Sequence, residues 1–163
     1  MRKPILGIAV MFLLVTSASA QSGQEQREIS TRFGVLSVND EKRLLFKGQS
    51  LRPPIDGNNS FDLGEVVSID ATDVVLVTDN GGTACPYMYY FVSVSQSEVK
   101  ASPPFGSCGQ LASMKRSGTS ISVIMPGYRG PHEAEAAQRR AARQRHVFIF
   151  RAGVVSQNGK PVK

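Results

Sequence analysis

Histidine and cysteine are scarce in this sequence, two of each in 163 residues, and that scarcity narrows the imidazole and thiolate chemistry open to it. His132 and His146 stand 14 positions apart. On one continuous helix they would be separated by about 21 Å at ~1.5 Å per residue, too far to share an ion. The chain has no HExxH, GxSxG, Walker A or dinucleotide-binding glycine pattern. The DNGG beginning at Asp79 lacks the further oxygen ligands and the closing Glu of an EF-hand loop. No metal site and no cofactor is expected.

Long hydrophobic runs are also lacking, with one exception. MRKPILGIAVMFLLVTSASA opens with Arg2 and Lys3, continues through an apolar run from Ile5 to Val15, and ends on the small residues Ala18-Ser19-Ala20. That order predicts a secretory signal peptide over residues 1–20, cleaved after Ala20. The run is shorter than the ~20 residues a membrane span needs, so no transmembrane segment is expected after cleavage. The expectation is an exported protein, periplasmic or extracellular. Residues 21–31 form a polar lead read as disordered, and residues 32–163 a single β-rich domain.

Charge is unevenly spread. Residues 21–98 carry six Lys/Arg against eleven Asp/Glu, whereas residues 99–163 carry eleven against two. Such asymmetry marks a polyanion-binding face if it survives folding, and cancels if the sheet brings the two halves together.

An exported chain with two cysteines is expected to pair them, so Cys85 and Cys108 are read as a disulfide. Cys85-Pro86-Tyr87 resembles the start of the glutaredoxin CPYC motif, but Met88 stands where the second Cys would be. The residues that follow, YYFVSVS, are aromatic and β-branched and favour a strand, which offers no helix dipole to lower a thiol pKa. A structural staple is the expectation.

The rest of the chain reads as short β-branched runs separated by turn chemistry. RFGVLSV and RLLFKG flank Asn39-Asp40-Glu41-Lys42, and FDLGEVVSID and DVVLVTD surround Asp70-Ala71-Thr72-Asp73. QLASMKRSGTSISVIMP reads as a hairpin turning near Ser117-Gly118, and HVFIFRAGVV as the last long strand. RLLFKGQSL and VFIFRAGVV share an apolar run, a basic residue and a Gly, which suggests similar places in the sheet. YMYYFVSVS is apolar on both faces and is read as a central strand. Tyr87 and Tyr89 share one of those faces, as core or as an aromatic ligand platform. The expected fold is mainly β: a small antiparallel meander, barrel or sandwich, with one Arg-rich helix inserted before the last long strand.

That helix is PHEAEAAQRRAARQRH, residues 131–146. Pro131 suits the first turn, Glu133 and Glu135 the positive end of the dipole, and Arg139, Arg140, Arg143 and Arg145 the negative end. Its apolar stripe is alanine, too thin for a membrane face, and no aromatic is interleaved for stacking on bases, so nucleic acid is not expected as a partner. Arg139, Arg143 and His146 share one face of the continuous helix, with Arg140 about 100° around. The candidate binding residues are therefore Arg139, Arg140, Arg143, Arg145 and His146. Expected function is an exported binding or inhibitor-like protein, not an enzyme, recognising an acidic protein or an envelope polyanion. The alternatives are a hydrolase built on two of Asp62, Glu65, Asp70 and Asp73, or a purely structural envelope component.

Overall fold

A computed structural model describes residues 27–163. Residues 1–20, where a signal peptide is expected, and residues 21–26 of the polar lead lie outside the described residues. The chain forms three antiparallel sheets in sequence order. The first holds β1 (Glu28–Thr31), β2 (Gly34–Val38), β3 (Leu44–Phe46) and β4 (Gln49–Ser50). The second holds β5 (Ser60–Ile69), β6 (Thr72–Asn80), β7 (Tyr87–Val94) and β8 (Val99–Ala101), with β9 (Phe105–Cys108) pairing a further stretch of β7. The third holds β10 (Ser113–Ser117), β11 (Ser120–Met125), β12 (His146–Arg151), β13 (Val154–Gln157) and β14 (Lys160–Pro161). A single helix, α1 (Glu135–Ala142), lies between β11 and β12. The protein is thus mainly β, with open stacked sheets rather than a closed barrel.

The middle sheet is covered on both faces. Val74, Leu76, Tyr89 and Phe91 point to one side and share a core with Ile121, Val123, Met125, Phe148 and Phe150 of the third sheet. Val75, Val77, Val92 and Val94 point to the other and share a core with Leu36, Val38 and Leu44 of the first and with Leu51 just after it. Successive residues of β6 and β7 therefore feed two cores, which is why Val74–Val77 and Tyr87–Val92 read as continuous apolar runs. Phe91 anchors the first core, with ring centroids 5.3 Å from Phe105 and 4.7 Å from Phe150.

Three local readings change. Residues 28–31, taken as the end of a disordered lead, pair with β2 in a four-residue ladder from Glu28↔Ser37 to Thr31↔Gly34. HVFIFRAGVV is a hairpin rather than one strand: Ala152 and Gly153 both adopt positive φ, 48° and 80°, and turn β12 into β13. Lys47 and Gly48 do the same between β3 and β4, at 51° and 75°, so the two similar segments are hairpins of the same turn geometry in the two outer sheets. The helix, expected over residues 131–146, is confined to Glu135–Ala142. Ala134 at its N-cap has no side-chain acceptor to hold the first turn, and His146 is already paired with Met125 in the sheet.

Among the described residues, no helix is long and apolar enough to cross a membrane.

Candidate binding surface

The loop that carries the helix is anchored at several points. Gly127 passes under the helix C-terminus so closely that a Cβ there would lie 2.8 Å from the Ala141 carbonyl oxygen and 2.6 Å from Gln144 Oε1. Pro126 accepts a hydrogen bond from Ser107 Oγ at 2.6 Å, and Tyr128 Oη donates to the Thr83 carbonyl at 2.6 Å. Ala141 is the buried residue of the helix. The short helix is therefore seated by one alanine and by its flanking loops, with its other faces open to water.

Cys85 and Cys108 form a disulfide across 23 positions, next to this loop. It joins the segment before β7 to the end of β9, where Tyr87 is paired with Cys108. Such a bond is compatible with an oxidising, exported location.

Of the five predicted binding residues, the structure keeps four arginines together and separates the histidine. Arg139, Arg140, Arg143 and Arg145 are all exposed. Arg139 is bridged to Glu135 one turn earlier, while Arg140, Arg143 and Arg145 form no ion pair among the described residues. Arg143 ends the helix and Arg145 lies in the link to β12. His146 does not share the helix face, because it belongs to β12; it is half-buried, with Nδ1 3.3 Å from Gln157 Nε2.

The layering also settles what becomes of the charge asymmetry. The acidic stretch is the middle layer, since no Lys or Arg occurs from Pro53 to Val99. It is flanked by a first segment, residues 27–52, with six Lys/Arg against three Asp/Glu, and by residues 113–163, with ten against two. The excess positive charge of the third layer is largely unneutralised by ion pairs among the described residues, where its one salt bridge is Arg139–Glu135.

The tyrosines divide. Tyr89 is 1% exposed and belongs to the core, so it offers no ligand platform. Its hydroxyl accepts from the Leu111 N–H at 2.7 Å and donates to the Gly109 carbonyl at 3.3 Å, fastening the chain just after Cys108. Burial pushes its phenol up to about 12, outweighing the opposing hydrogen bond from Leu111. Tyr87 is half-buried against the same core.

The four carboxylates considered for hydrolysis do not converge. Asp73 is fully buried and committed to Arg32 and Ser68, Asp62 accepts from Asn80 Nδ2 at 2.7 Å, and Glu65 is exposed in the bulged part of β5. Asp70 alone lines a cleft, of about 460 Å³, between the middle and third sheets. Glu98, Lys100 and Arg151 line the same cleft. Glu98 was not legible as a neighbour of Asp70, because 28 positions separate them and the β6–β7 and β7–β8 pairings together bring them to one cleft. No group of three or more potential metal ligands occurs among the described residues.

No family model matches the chain, and neither a curated protein nor a solved structure is significantly similar to it.

Proposed function

We propose that this chain is an exported binding module that captures an anionic partner through the arginines of α1 and its C-terminal link. The observation that carries the reading is the unneutralised trio Arg140, Arg143 and Arg145, exposed beside a supported loop in a layer with ten basic and two acidic residues. Guanidinium forks bind carboxylate and phosphate oxygens alike, so the shared chemistry is an anionic surface on an acidic protein or an envelope polyanion. The alanine-rich helix adds little apolar area. Capture would rest on charge and weaken with salt.

Affinity capture from an envelope extract, with oxidised mature protein beside a variant carrying Ala at Arg139, Arg140, Arg143 and Arg145, tests this at low and high salt. A specific partner lost from the variant and at high salt supports the reading, and protease treatment of the extract separates protein from polyanion. The same partners on both proteins would overturn it.

A second reading rests on the cleft that joins Asp70 and Glu98: a carboxylate-dependent hydrolase. Both carboxylates are exposed, however, and a general acid is ordinarily held protonated by an enclosed apolar setting. Hydrolysis of envelope glycans that disappears in both Asp70→Asn and Glu98→Gln would favour this reading over the first.

A further inference from the structure

We propose that two copies of this chain pair edge to edge through antiparallel β8 strands, with Val99 opposite Val99 of the second copy. The inference concerns a different surface from the arginine helix and does not depend on it.

β8 is the last strand of the middle sheet, and among the described residues no strand pairs with its outer side. Its backbone polarity follows from its bonds to β7. Ser95 N–H donates to the Glu98 carbonyl and Ser102 N–H to the Phe91 carbonyl, so Glu98, Lys100 and Ser102 turn their backbone groups inward. In an antiparallel ladder the alternate residues face the other way. The N–H and C=O groups of Val99 and Ala101 thus point outward, and no hydrogen bond within the described residues reaches them. Clefts of about 460 Å³ and 790 Å³ lie along the two faces of this strand.

A short edge strand bearing a Lys and followed by prolines is ordinarily guarded against pairing. Here the charges select a partner instead. With Val99 opposite Val99, each Glu98 lies across from the Lys100 of the other copy, on the same face, giving two cross-strand ion pairs. A register shifted to set Val99 against Ala101 would place Lys100 against Lys100. Pro103 and Pro104 lack the N–H groups to extend the ladder, so the overlap is held to a few residues. A self-complementary patch of this kind closes as a two-fold dimer and does not propagate. Charge complementarity with itself is what assigns the site to a second copy rather than to an unrelated peptide.

Sedimentation of the oxidised mature protein over a range of concentrations tests the proposal. The expected result is a reversible monomer–dimer equilibrium. Glu98→Lys and Lys100→Glu singly should each weaken it by about tenfold, on the scale of cross-strand charge pairs. The double swap Glu98→Lys/Lys100→Glu should restore it. Both side chains are exposed, so thermal unfolding of each variant is expected to match the parent and confirms that the fold is intact. A monomer at every concentration overturns the proposal and leaves the edge to a foreign strand, if to any. A dimer indifferent to both single swaps overturns it equally, by placing the interface elsewhere.

Discussion

Arg32 and Asp73, 41 positions apart, join the first sheet to the middle one through a carboxylate that is fully buried. Arg32 donates to Asp73 from both its backbone N–H, at 2.7 Å, and its Nε, at 2.8 Å, and Ser68 Oγ adds a third bond at 2.7 Å. The rest of the guanidinium reaches the carbonyls of Asp70 and Thr72. One side chain thereby clamps the β1–β2 turn onto the β5–β6 turn. Desolvation pushes the Asp73 carboxyl up, but the bonds from Ser68 and Arg32 together outweigh it and hold it below the ordinary carboxylate value.

Arg32→Ala deletes the Nε bond to a buried carboxylate while the backbone N–H and Ser68 bonds remain, so it is expected to cost about 2 kcal/mol in urea unfolding. Asp73→Asn should cost about 2 kcal/mol, and the double variant less than the sum, because the two act as one unit. Additive losses would show that the pair is not coupled.

The same pair sets an acid limit. Since the folded Asp73 binds its proton less readily than the unfolded chain does, its contribution is complete above the ordinary value of 3.8 and fades as pH falls through the lower folded value. Below about pH 4, Asp73→Asn should lose stability less steeply than the parent. Parallel slopes would assign acid unfolding to other carboxylates.

Tyr89→Phe keeps the ring in its core and deletes the clamp on Gly109 and Leu111. A loss of about 1–2 kcal/mol is expected, because the Leu111 N–H is left without its acceptor. Hydrogen exchange should quicken first around residues 109–111, and protection unchanged there would refute the clamp.

The disulfide should contribute about 3 kcal/mol, chiefly by restricting the unfolded chain. Cys85→Ala/Cys108→Ala is accordingly expected to fold with a lowered midpoint in denaturant. An undiminished midpoint would mean that Tyr89 and the β7–β9 ladder hold this region unaided.

At the β12–β13 turn, Ala152 occupies a left-handed conformation that its Cβ disfavours. Ala152→Asn should raise stability by roughly 0.5–1 kcal/mol, since Asn before Gly suits this turn. Calorimetry showing no gain would mean that the turn already relaxes the strain.

Much of this protein is determined locally and is legible residue by residue. Period-two alternation marks β2 and β11, continuous apolar runs mark β6 and β7, the Asn39–Lys42 and Ser117–Gly118 turns punctuate them, and YMYYFVSVS declares a strand buried on both faces. The two cysteines imply their own pairing. The helix was legible as a tendency but not in extent, because whether residues 143–146 continue it depends on the β11–β12 ladder, which local propensity does not contain. Tertiary structure alone decided which strands stack in which layer, that the acidic stretch is the middle layer, and that Asp73 is consumed by Arg32 while Asp70 and Glu98 line one cleft. Those outcomes arise from contacts between residues tens of positions apart, and short-range pattern has no means of encoding which distant partner will desolvate or neutralise a given charge.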